Sequence, residues 1–256
     1  MEVCSLSSGS SGNSFFVKAN GSSFLVDAGI SRKQVVEKLS SIGYDIGDIN
    51  GIFITHAHAD HVRGVDVLSR HHDIPVFATQ GTYERFSHLL KNKDAVNFIT
   101  ANQKFNIGDV EIFPFSKSHD CADPVSYSIT YNGRTASILT DIGFACGNVR
   151  DAVSNSNILC MEANHDLEML QNGPYPYYLK QRIAGNYGHL SNLDASLLVL
   201  EHASPELKHI VLSHLSAVNN TPETALQAFN ILRERKDIRA RCEAAPRYDV
   251  TDIFSV

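Results

Sequence analysis

The chain has 256 residues, 43% of them hydrophobic, and its 28 acidic side chains outnumber its 22 basic ones, for a formal net charge of −6. This apolar fraction is enough to build the core of one large domain or of two small ones. The acidic balance excludes a global positive field that would attract nucleic acid or anionic lipid, so any polyanion has to be bound by a local basic patch or by metal cations.

The predicted elements of the first half are short strands joined by tight turns, with helices between them. Strands are predicted over residues 3–7, 13–19 and 23–27, with a hairpin turn at Asn20-Gly21. A helix capped by Ser31 is predicted over residues 31–41, followed by a strand over 51–55 and a helix over 62–70. The histidine-rich segment 55–61 therefore lies where a strand is followed by a helix.

The remaining elements continue this alternation. Further strands are predicted over residues 76–78, 96–100, 110–116, 126–131, 135–140, 158–162 and 209–213. Helices are predicted over residues 82–90, 148–153, 166–171, 176–183, 192–201 and 222–234. Because no linker, charge block or long low-complexity segment divides the chain, residues 1–256 are expected to form a single domain of mixed sheets covered by helices.

Signals for export or membrane insertion are not recognisable in this sequence. The segment MEVCSLSSGSSGNS has neither the basic start nor the apolar centre of a signal peptide, and no apolar run approaches the length that spans a bilayer. The five cysteines are scattered without paired spacing, which predicts mostly buried, reduced thiols. A cytoplasmic protein is therefore expected.

The segment THAHADH, residues 55–61, is the strongest chemical signal. His56 and His58 are two residues apart on an extended segment and can face one ion, whereas Asp60 and His61 lie beyond the bend and can reach a second. Two adjacent metal positions are therefore plausible from the spacing. A solvated histidine-rich loop is the alternative, and the place of the segment directly after a strand disfavours it.

These residues resemble the metallo-β-lactamase superfamily, whose signature is H-x-H-x-D-H. The other four motifs of that superfamily are matched in order by FLVDAG with Asp27, SKSHD with His119, ILTDIG with Asp141 and IVLSHLS with His214. The resemblance implies an α/β (α+β) fold, an αββα sandwich of two mixed β-sheets flanked by helices, with the site at one edge between the sheets.

The resemblance also implies a set of metal ligands for two divalent ions, Zn²⁺ or Mn²⁺. One ion would be held by His56, His58 and His119 and the other by Asp60, His61 and His214, with Asp141 between them. Asp27 is expected to orient a ligand rather than to be one. Two metals sharing a hydroxide perform hydrolysis, and Asp60 belongs to both the metal-binding and the catalytic set.

Two further segments bear on which bond is hydrolysed. Glu162 in MEAN and His189 in YGHLSN resemble the EAT and GHST motifs of tRNA-maturing nucleases of the superfamily. The resemblance implies that this catalytic pair handles the proton given to the departing oxygen, a need that a phosphodiester has. In the alternative interpretation, Glu162 is a structural carboxylate at a strand end and Ser191 only caps a helix.

The stretch PYPYYLKQR lies between these two segments. Tyrosine faces stack on bases and cations contact phosphates, so Tyr178, Lys180 and Arg182 are candidate nucleic-acid contacts. The alternative is an amphipathic helix that buries Tyr178 and Leu179 and leaves its cations in solvent. Three more cations, which the sequence alone does not place, could add charge nearby: Arg63, Lys117 and Arg134.

The Ser/Gly-rich segment SSGSSGNS is predicted to be a hairpin or loop near the site, with Asn13 and the serines at most secondary substrate contacts. Cys121 is given no role, because the expected ligand set is complete without it.

The motifs taken together resemble the YycJ (WalJ)-like group of metal-dependent exonucleases over essentially the full chain. The segments that carry this resemblance are SLSSGSSGNS, THAHADHVRGV, SHDCADPVSY, MEANHDLEML, YPYYLKQRIAGNYGHLSN and LSHLSAVNN. The resemblance implies a dinuclear hydrolase that acts on DNA, with a 5′ exonuclease-like activity. Two alternatives stay open: a thioester or other small-molecule metallohydrolase, and a metal-stabilised signalling or interaction protein.

Overall fold

The structure is a computed structural model that describes residues 1–235 and 238–256. Within those residues the strands form two mixed sheets of seven strands each. The first sheet has the order β14-β1-β2-β3-β4-β5-β6, with the strands β1 (Glu2–Ser7), β2 (Ser14–Ala19), β3 (Ser22–Val26), β4 (Ile49–Phe53), β5 (Val76–Thr79), β6 (Val96–Ile99) and β14 (Phe254–Ser255). The second has the order β13-β12-β11-β10-β9-β8-β7, with β7 (Phe105–Ile107), β8 (Val110–Ser116), β9 (Val125–Tyr131), β10 (Arg134–Leu139), β11 (Ile158–Glu162), β12 (His209–Ser213) and β13 (Arg241–Ala244).

The two sheets share one pairing scheme. In each, consecutive antiparallel strands lead into a parallel run: β3, β4, β5 and β6 in the first sheet, and β10, β11, β12 and β13 in the second. Parallel strands need crossover connections, which are mostly helical here. The helices are α1 (Arg32–Ser41), α2 (Ala59–Val62), α3 (Val65–His72), α4 (Gln80–Phe86), α5 (Gly147–Asn155), α6 (Leu167–Asn172), α7 (Tyr177–Ile183), α8 (Asn192–His202) and α9 (Pro222–Arg235).

Three apolar layers hold the sheets and helices together. Phe24 and Val26 of β3 face the second sheet, whereas Leu25 between them packs in the layer under α1 and α3, as the two-residue period of a strand requires. A third layer lies between the second sheet and helices α5, α8 and α9. The predicted αββα fold is confirmed.

The middle layer draws residues from both ends of the chain, from Val3 to Phe254. We therefore propose that residues 1–256 form one domain. In the described part of the chain, no helix has both the length and the apolar character needed to cross a bilayer.

One predicted helix differs from the structure in a way that shapes the site. Instead of a single helix over residues 62–70, α2 ends at Val62 and α3 begins at Val65. At the break, the Gly64 N–H donates to the Ala28 carbonyl over 2.7 Å, and a Cβ on Gly64 would lie 2.1 Å from the Ile30 carbonyl oxygen. This close approach of two backbones requires glycine and ties the histidine segment to the loop after β3.

Candidate metal centre

The residues of the candidate site follow strands, on loops and on the short helix α2, and they meet at one edge of the two sheets. Asp27 follows β3, Asp141 follows β10 and His214 follows β12. These three residues have positive φ angles of 63°, 56° and 55°, in the left-handed region that non-glycine residues rarely adopt. The surrounding hydrogen bonds hold this strained backbone, which points to a functional constraint on these three positions.

The first donor set consists of His56, His58 and His119. The His58 Nδ1 atom lies 3.1 Å from His56 Nε2 and 3.2 Å from His119 Nε2. His119 Nδ1 donates to the Gly188 carbonyl over 3.2 Å, which leaves the lone pair of its Nε2 for a ligand. Three ring nitrogens that converge in this way suit a divalent cation.

Thr55 sets the orientation of His56 in this set. The Thr55 hydroxyl donates to the Asp27 carboxylate over 2.8 Å, so its oxygen is free to accept from His56 Nδ1, 2.9 Å away. His56 Nε2 therefore carries the lone pair on the side of the other two rings.

The second donor set consists of Asp60, His61 and His214. The Asp60 Oδ2 atom lies 3.5 Å from His61 Nε2 and 3.6 Å from His214 Nε2. The opposite ring nitrogens are already engaged, because His61 Nδ1 donates to Asp27 over 2.7 Å and His214 Nδ1 donates to Glu162 over 2.8 Å. His214 Nε2 is buried and has no hydrogen-bond partner within the described residues, as expected of a metal ligand.

Asp141 lies between the two donor sets. Its Oδ1 atom is 3.7 Å from His119 Nε2, and its Oδ2 atom is 3.2 Å from His61 Nε2. Within each group of candidate ligands, the donor atoms lie within 4.8 Å of one another. Imidazole nitrogens and carboxylate oxygens, without a thiolate, suit first-row divalent ions such as Zn²⁺ and Mn²⁺, so the residues present fit divalent metal.

The electrostatic surroundings favour neutral imidazoles in the first donor set. Burial lowers the pKa of His56 well below its usual value, and the positive charges of His61 and Lys117 lower it further. Burial also lowers the pKa of His119, to about 4. Because a neutral imidazole is the ligating form, these rings are ready to bind metal near neutral pH.

The second donor set behaves in the opposite way. Burial alone would lower the pKa of His61, but the charges of Asp27 and Asp141 raise it well above its usual value. Burial likewise opposes protonation of His214, whose pKa is nevertheless raised to about 10 by Asp141 and other carboxylates. Metal binding at these two rings therefore has to displace protons.

Glu162 is the central hydrogen-bond acceptor beside the site. Its Oε1 atom accepts from His189 Nδ1 over 2.9 Å and from His214 Nδ1 over 2.8 Å. Three backbone N–H groups donate to the same carboxylate, those of Asp141, Ile142 and Leu190. Burial alone would raise the pKa of Glu162, but the two histidines lower it to about 2, so the carboxylate stays ionised. Glu162 thus orients both rings, and the carboxylate-with-two-histidines group is a hydrogen-bond network rather than a further metal site.

A cavity of about 240 Å³, which we call the inner hollow, opens above the two donor sets. His189 lines it, and because Glu162 occupies its Nδ1, its Nε2 is available to a bound substrate. Helix α7 supplies one wall through Leu179, Arg182 and Ile183. The inner hollow therefore brings candidate ligands, the His189 ring and a guanidinium together.

Of the three predicted substrate contacts, the structure brings only Arg182 to this cavity. The Arg182 Nε atom donates to the Asp120 carboxylate over 2.8 Å. Lys180 instead donates to the Gln171 carbonyl over 2.7 Å, and Tyr178 is 73% exposed outside the lining. The alternative interpretation of this helix, with a buried Tyr178, is therefore wrong in that detail.

Several residues support the site in ways that the sequence analysis did not predict. Asn13 is buried, and its Nδ2 atom donates to Asp60 Oδ2 over 3.2 Å, so it holds a candidate ligand. The Ser8 hydroxyl accepts from the His214 N–H over 2.7 Å. Lys117 is buried rather than on the surface, and its Nζ donates to the Thr140 carbonyl over 2.6 Å. The Ser/Gly-rich segment was a usable signal for Asn13 and Ser8, whereas no sequence pattern marked Lys117 as buried.

The helix cap proposed as the structural alternative is also present. The Ser191 side chain accepts from the Asp194 N–H at the start of α8. Two residues earlier His189 contacts Glu162, so the GHLS segment both begins a helix and places a ring at the site.

Two stacked mixed sheets with clustered histidine and aspartate ligands at one edge define a class of metal-dependent hydrolases. The chain belongs to the metallo-beta-lactamase superfamily, whose family profile matches residues 8–214. The predicted superfamily is thereby confirmed.

Relatives and solved structures support this assignment. The chain is 37% identical over 239 residues to exodeoxyribonuclease YycJ of Bacillus anthracis, a match that covers 90% of this chain and 88% of that one. It is 36% identical over 228 residues to exodeoxyribonuclease WalJ of Streptococcus pneumoniae, covering 86% and 83%. The metallo-beta-lactamase fold protein YhfI of Bacillus subtilis has the same fold, with a TM-score of 0.74 at 14% identity and 98% of each chain covered. The predicted resemblance to the YycJ (WalJ)-like group is confirmed.

Proposed function

We propose that this protein is an exodeoxyribonuclease that hydrolyses a phosphodiester with two divalent ions, Zn²⁺ or Mn²⁺. Two adjacent donor sets with Asp141 between them support the number of ions. The names of the two curated relatives support DNA as the substrate. The 5′ polarity stays a prediction.

The observation that carries the proposal is the His189 ring held against Glu162 at the inner hollow. Hydrolysis of a thioester releases a thiolate, which is a good leaving group without a proton donor, whereas an alkoxide leaving a phosphodiester needs one. A carboxylate that accepts from Nδ1 fixes the orientation of the ring and directs its Nε2 towards the hollow.

Metal ligands, His189 and Arg182 have separate roles in the proposed hydrolysis. His56, His58 and His119 would hold one divalent ion and Asp60, His61 and His214 the other, and these ions would supply Lewis-acid activation of water and neutralise charge on the phosphoryl group. His189 donates a proton from Nε2 to the ester oxygen as the P–O bond breaks, while water oxygen forms the new bond to phosphorus. The products are a phosphomonoester and an alcohol, and the proton lost by water restores His189 through solvent. Arg182 at the wall is placed to contact a non-bridging phosphate oxygen.

The test uses metal-reconstituted protein with end-labelled single- and double-stranded DNA and RNA, beside an Asp60→Ala control. Release of nucleotides from DNA by the wild type, and its loss in the control, is the expected result. Rapid hydrolysis of a thioester with all four nucleic acids left intact would overturn the proposal, and products cut from the middle of the strand would overturn its exonuclease part.

A further inference from the structure

A second depression continues the inner hollow outward. It has a volume of about 620 Å³, within the range of ligand pockets, and we call it the outer hollow. The two hollows share His58, His119 and Asp120, so a bound chain can pass from one to the other. Tyr187 and Arg85 line the outer hollow but not the inner one.

We propose that the outer hollow binds unpaired nucleotides of the strand being hydrolysed, with a base stacked on Tyr187 and a phosphate contacted by Arg85. This inference rests on the proposed function, because the strand is the one whose phosphodiester lies in the inner hollow. It assigns substrate-binding roles to two residues outside the metal centre.

Tyr187 combines an exposed ring with a fixed backbone. Its side chain is 66% exposed although it lines a cavity. The Asp120 N–H donates to the Tyr187 carbonyl over 3.1 Å, and the Ser118 hydroxyl donates to the carbonyl of the preceding Asn186. A Cβ on Gly143 would lie 2.0 Å from that same Asn186 oxygen, so the two loops are in direct backbone contact. A ring on a fixed backbone can stack on a base without the cost of ordering a loop.

The helix that carries Arg85 is held against a loop that lines the outer hollow. Arg85 is exposed on α4, and no ion pair of the described residues involves it. The helix is fastened to the loop beneath the hollow, because Thr82 Oγ1 donates to the Ala122 carbonyl over 3.2 Å and Thr79 Oγ1 donates to the Asp123 carbonyl over 2.8 Å. An exposed guanidinium without a protein partner is available to a phosphate.

The lining between these two residues suits a nucleotide. Cys121 and Ala122 contribute small side chains to this lining, which leaves room for a nucleotide. Asp120 is the one acidic side chain in this lining, and its ion pair with Arg182 offsets its charge. Stacking on Tyr187 requires a base face that is not covered by neighbouring base pairs, which favours an unpaired segment over duplex.

The test compares Tyr187→Ala and Arg85→Ala with two control variants in metal-loaded protein. Tyr248→Ala removes a tyrosine that is 74% exposed but lines neither hollow, and Arg134→Ala removes an exposed arginine that pairs with Glu206. The substrates are single-stranded DNA of three and twelve nucleotides and a blunt duplex of the longer sequence. Binding of the longer strand, labelled with 2-aminopurine, is followed by fluorescence anisotropy and quenching.

For Tyr187→Ala we expect KM and Kd for the longer single strand to rise about fivefold or more, the effect of losing one stacked base, with quenching reduced. Arg85→Ala should weaken binding and lower the dependence of Kd on salt concentration. The proposal would be overturned if Tyr187→Ala and Tyr248→Ala changed Kd equally. It would also be overturned if Tyr187→Ala weakened binding of the three-nucleotide strand or of the blunt duplex as much as that of the twelve-nucleotide strand. The two proposals fail in different ways. If wild-type protein hydrolyses no nucleic acid, the proposed function is wrong. If Tyr187→Ala leaves the 2-aminopurine quenching unchanged, the outer hollow does not stack a base.

Discussion

Asp27→Asn is expected to weaken the second metal position without disturbing the fold. Asp27 is buried at a φ angle of 63°, and asparagine is among the few residues that tolerate this backbone conformation. In the wild type, Asp27 Oδ1 accepts from the Thr55 N–H over 2.8 Å and Oδ2 accepts from His61 Nδ1 over 2.7 Å. The substitution therefore preserves shape and changes only charge and hydrogen-bond direction.

The direction of the new amide follows from these contacts. The Thr55 N–H holds the amide oxygen, so the amide NH₂ of the new side chain has to face His61 Nδ1. That ring nitrogen must then accept instead of donate, which moves the proton to Nε2 and blocks the lone pair facing Asp60. Loss of such an orienting partner lowers metal affinity about 10- to 100-fold, equivalent to about 1.4–2.7 kcal/mol.

The assay is a calorimetric titration of metal-stripped wild type and variant with Zn²⁺. We expect the second binding step to weaken most. The step of the His56, His58 and His119 set should change less, because the Thr55 hydroxyl keeps an acceptor in the amide oxygen at the place of Oδ1, 3.1 Å away. Asp45→Asn, which changes an exposed carboxylate at a helix cap, is the control for loss of charge. Superimposable two-step isotherms for wild type and Asp27→Asn would refute the reasoning.

Four other expectations follow from the site. His189→Ala should retain both ions by elemental analysis and lose about 10²- to 10⁴-fold in kcat on DNA, and unchanged turnover would make His189 structural. Removal of metal with a chelator should lower Tm in scanning calorimetry, because each bound ion, at a free concentration a hundredfold above its Kd, stabilises the folded state by about 2.7 kcal/mol. An unchanged Tm would contradict metal binding. His214, with a pKa raised to about 10, keeps its proton below that pH, so metal binding has to release it. Metal affinity measured in competition titrations should therefore rise from pH 6 to pH 9, and a flat profile would contradict this. Gly29→Ala would place a Cβ 1.6 Å from the Asp60 carbonyl oxygen, whereas the Cβ of Gly21→Ala meets no atom within 4 Å. The melting temperature and the affinity of the second metal position should therefore both be lower in Gly29→Ala than in Gly21→Ala. Equal values for the two variants would count against this contact.

Most of the regular structure was predictable from local pattern, and the differences lie where distant segments meet. The strands around Asp27 and Glu162 were predicted because alternating or continuous apolar runs end there. The short strands β7, β13 and β14 were not predicted, since each has few residues and is defined by its partner strand in a sheet. The break at Gly64 was missed for the same reason, because its cause is a contact with the Ala28 and Ile30 backbone.

The candidate ligands were recognisable because their signal is local. Each lies within six residues of the end of a predicted strand, and His56, His58, Asp60 and His61 fall within one stretch of six positions. The roles of Asn13, Lys117 and Tyr187 were not recognisable in this way. Their neighbours at the site, such as Asp60 for Asn13 and Asp120 for Tyr187, are 47 and 67 residues away in the chain.

By itself the sequence determined the class of fold and, through its resemblance to the superfamily, predicted two sets of candidate ligands and a catalytic pair of Glu162 and His189, because strand ends and short motifs carry these signals. Only the tertiary structure decided how the pieces act together. It saturated Glu162 with five hydrogen-bond donors and brought Arg182, but not Tyr178 or Lys180, to the inner hollow. The physical reason is that hydrogen-bond direction, burial and exposure depend on which loops meet at the sheet edge. Those loops are far apart in the chain, so a local sequence pattern does not reveal their contacts.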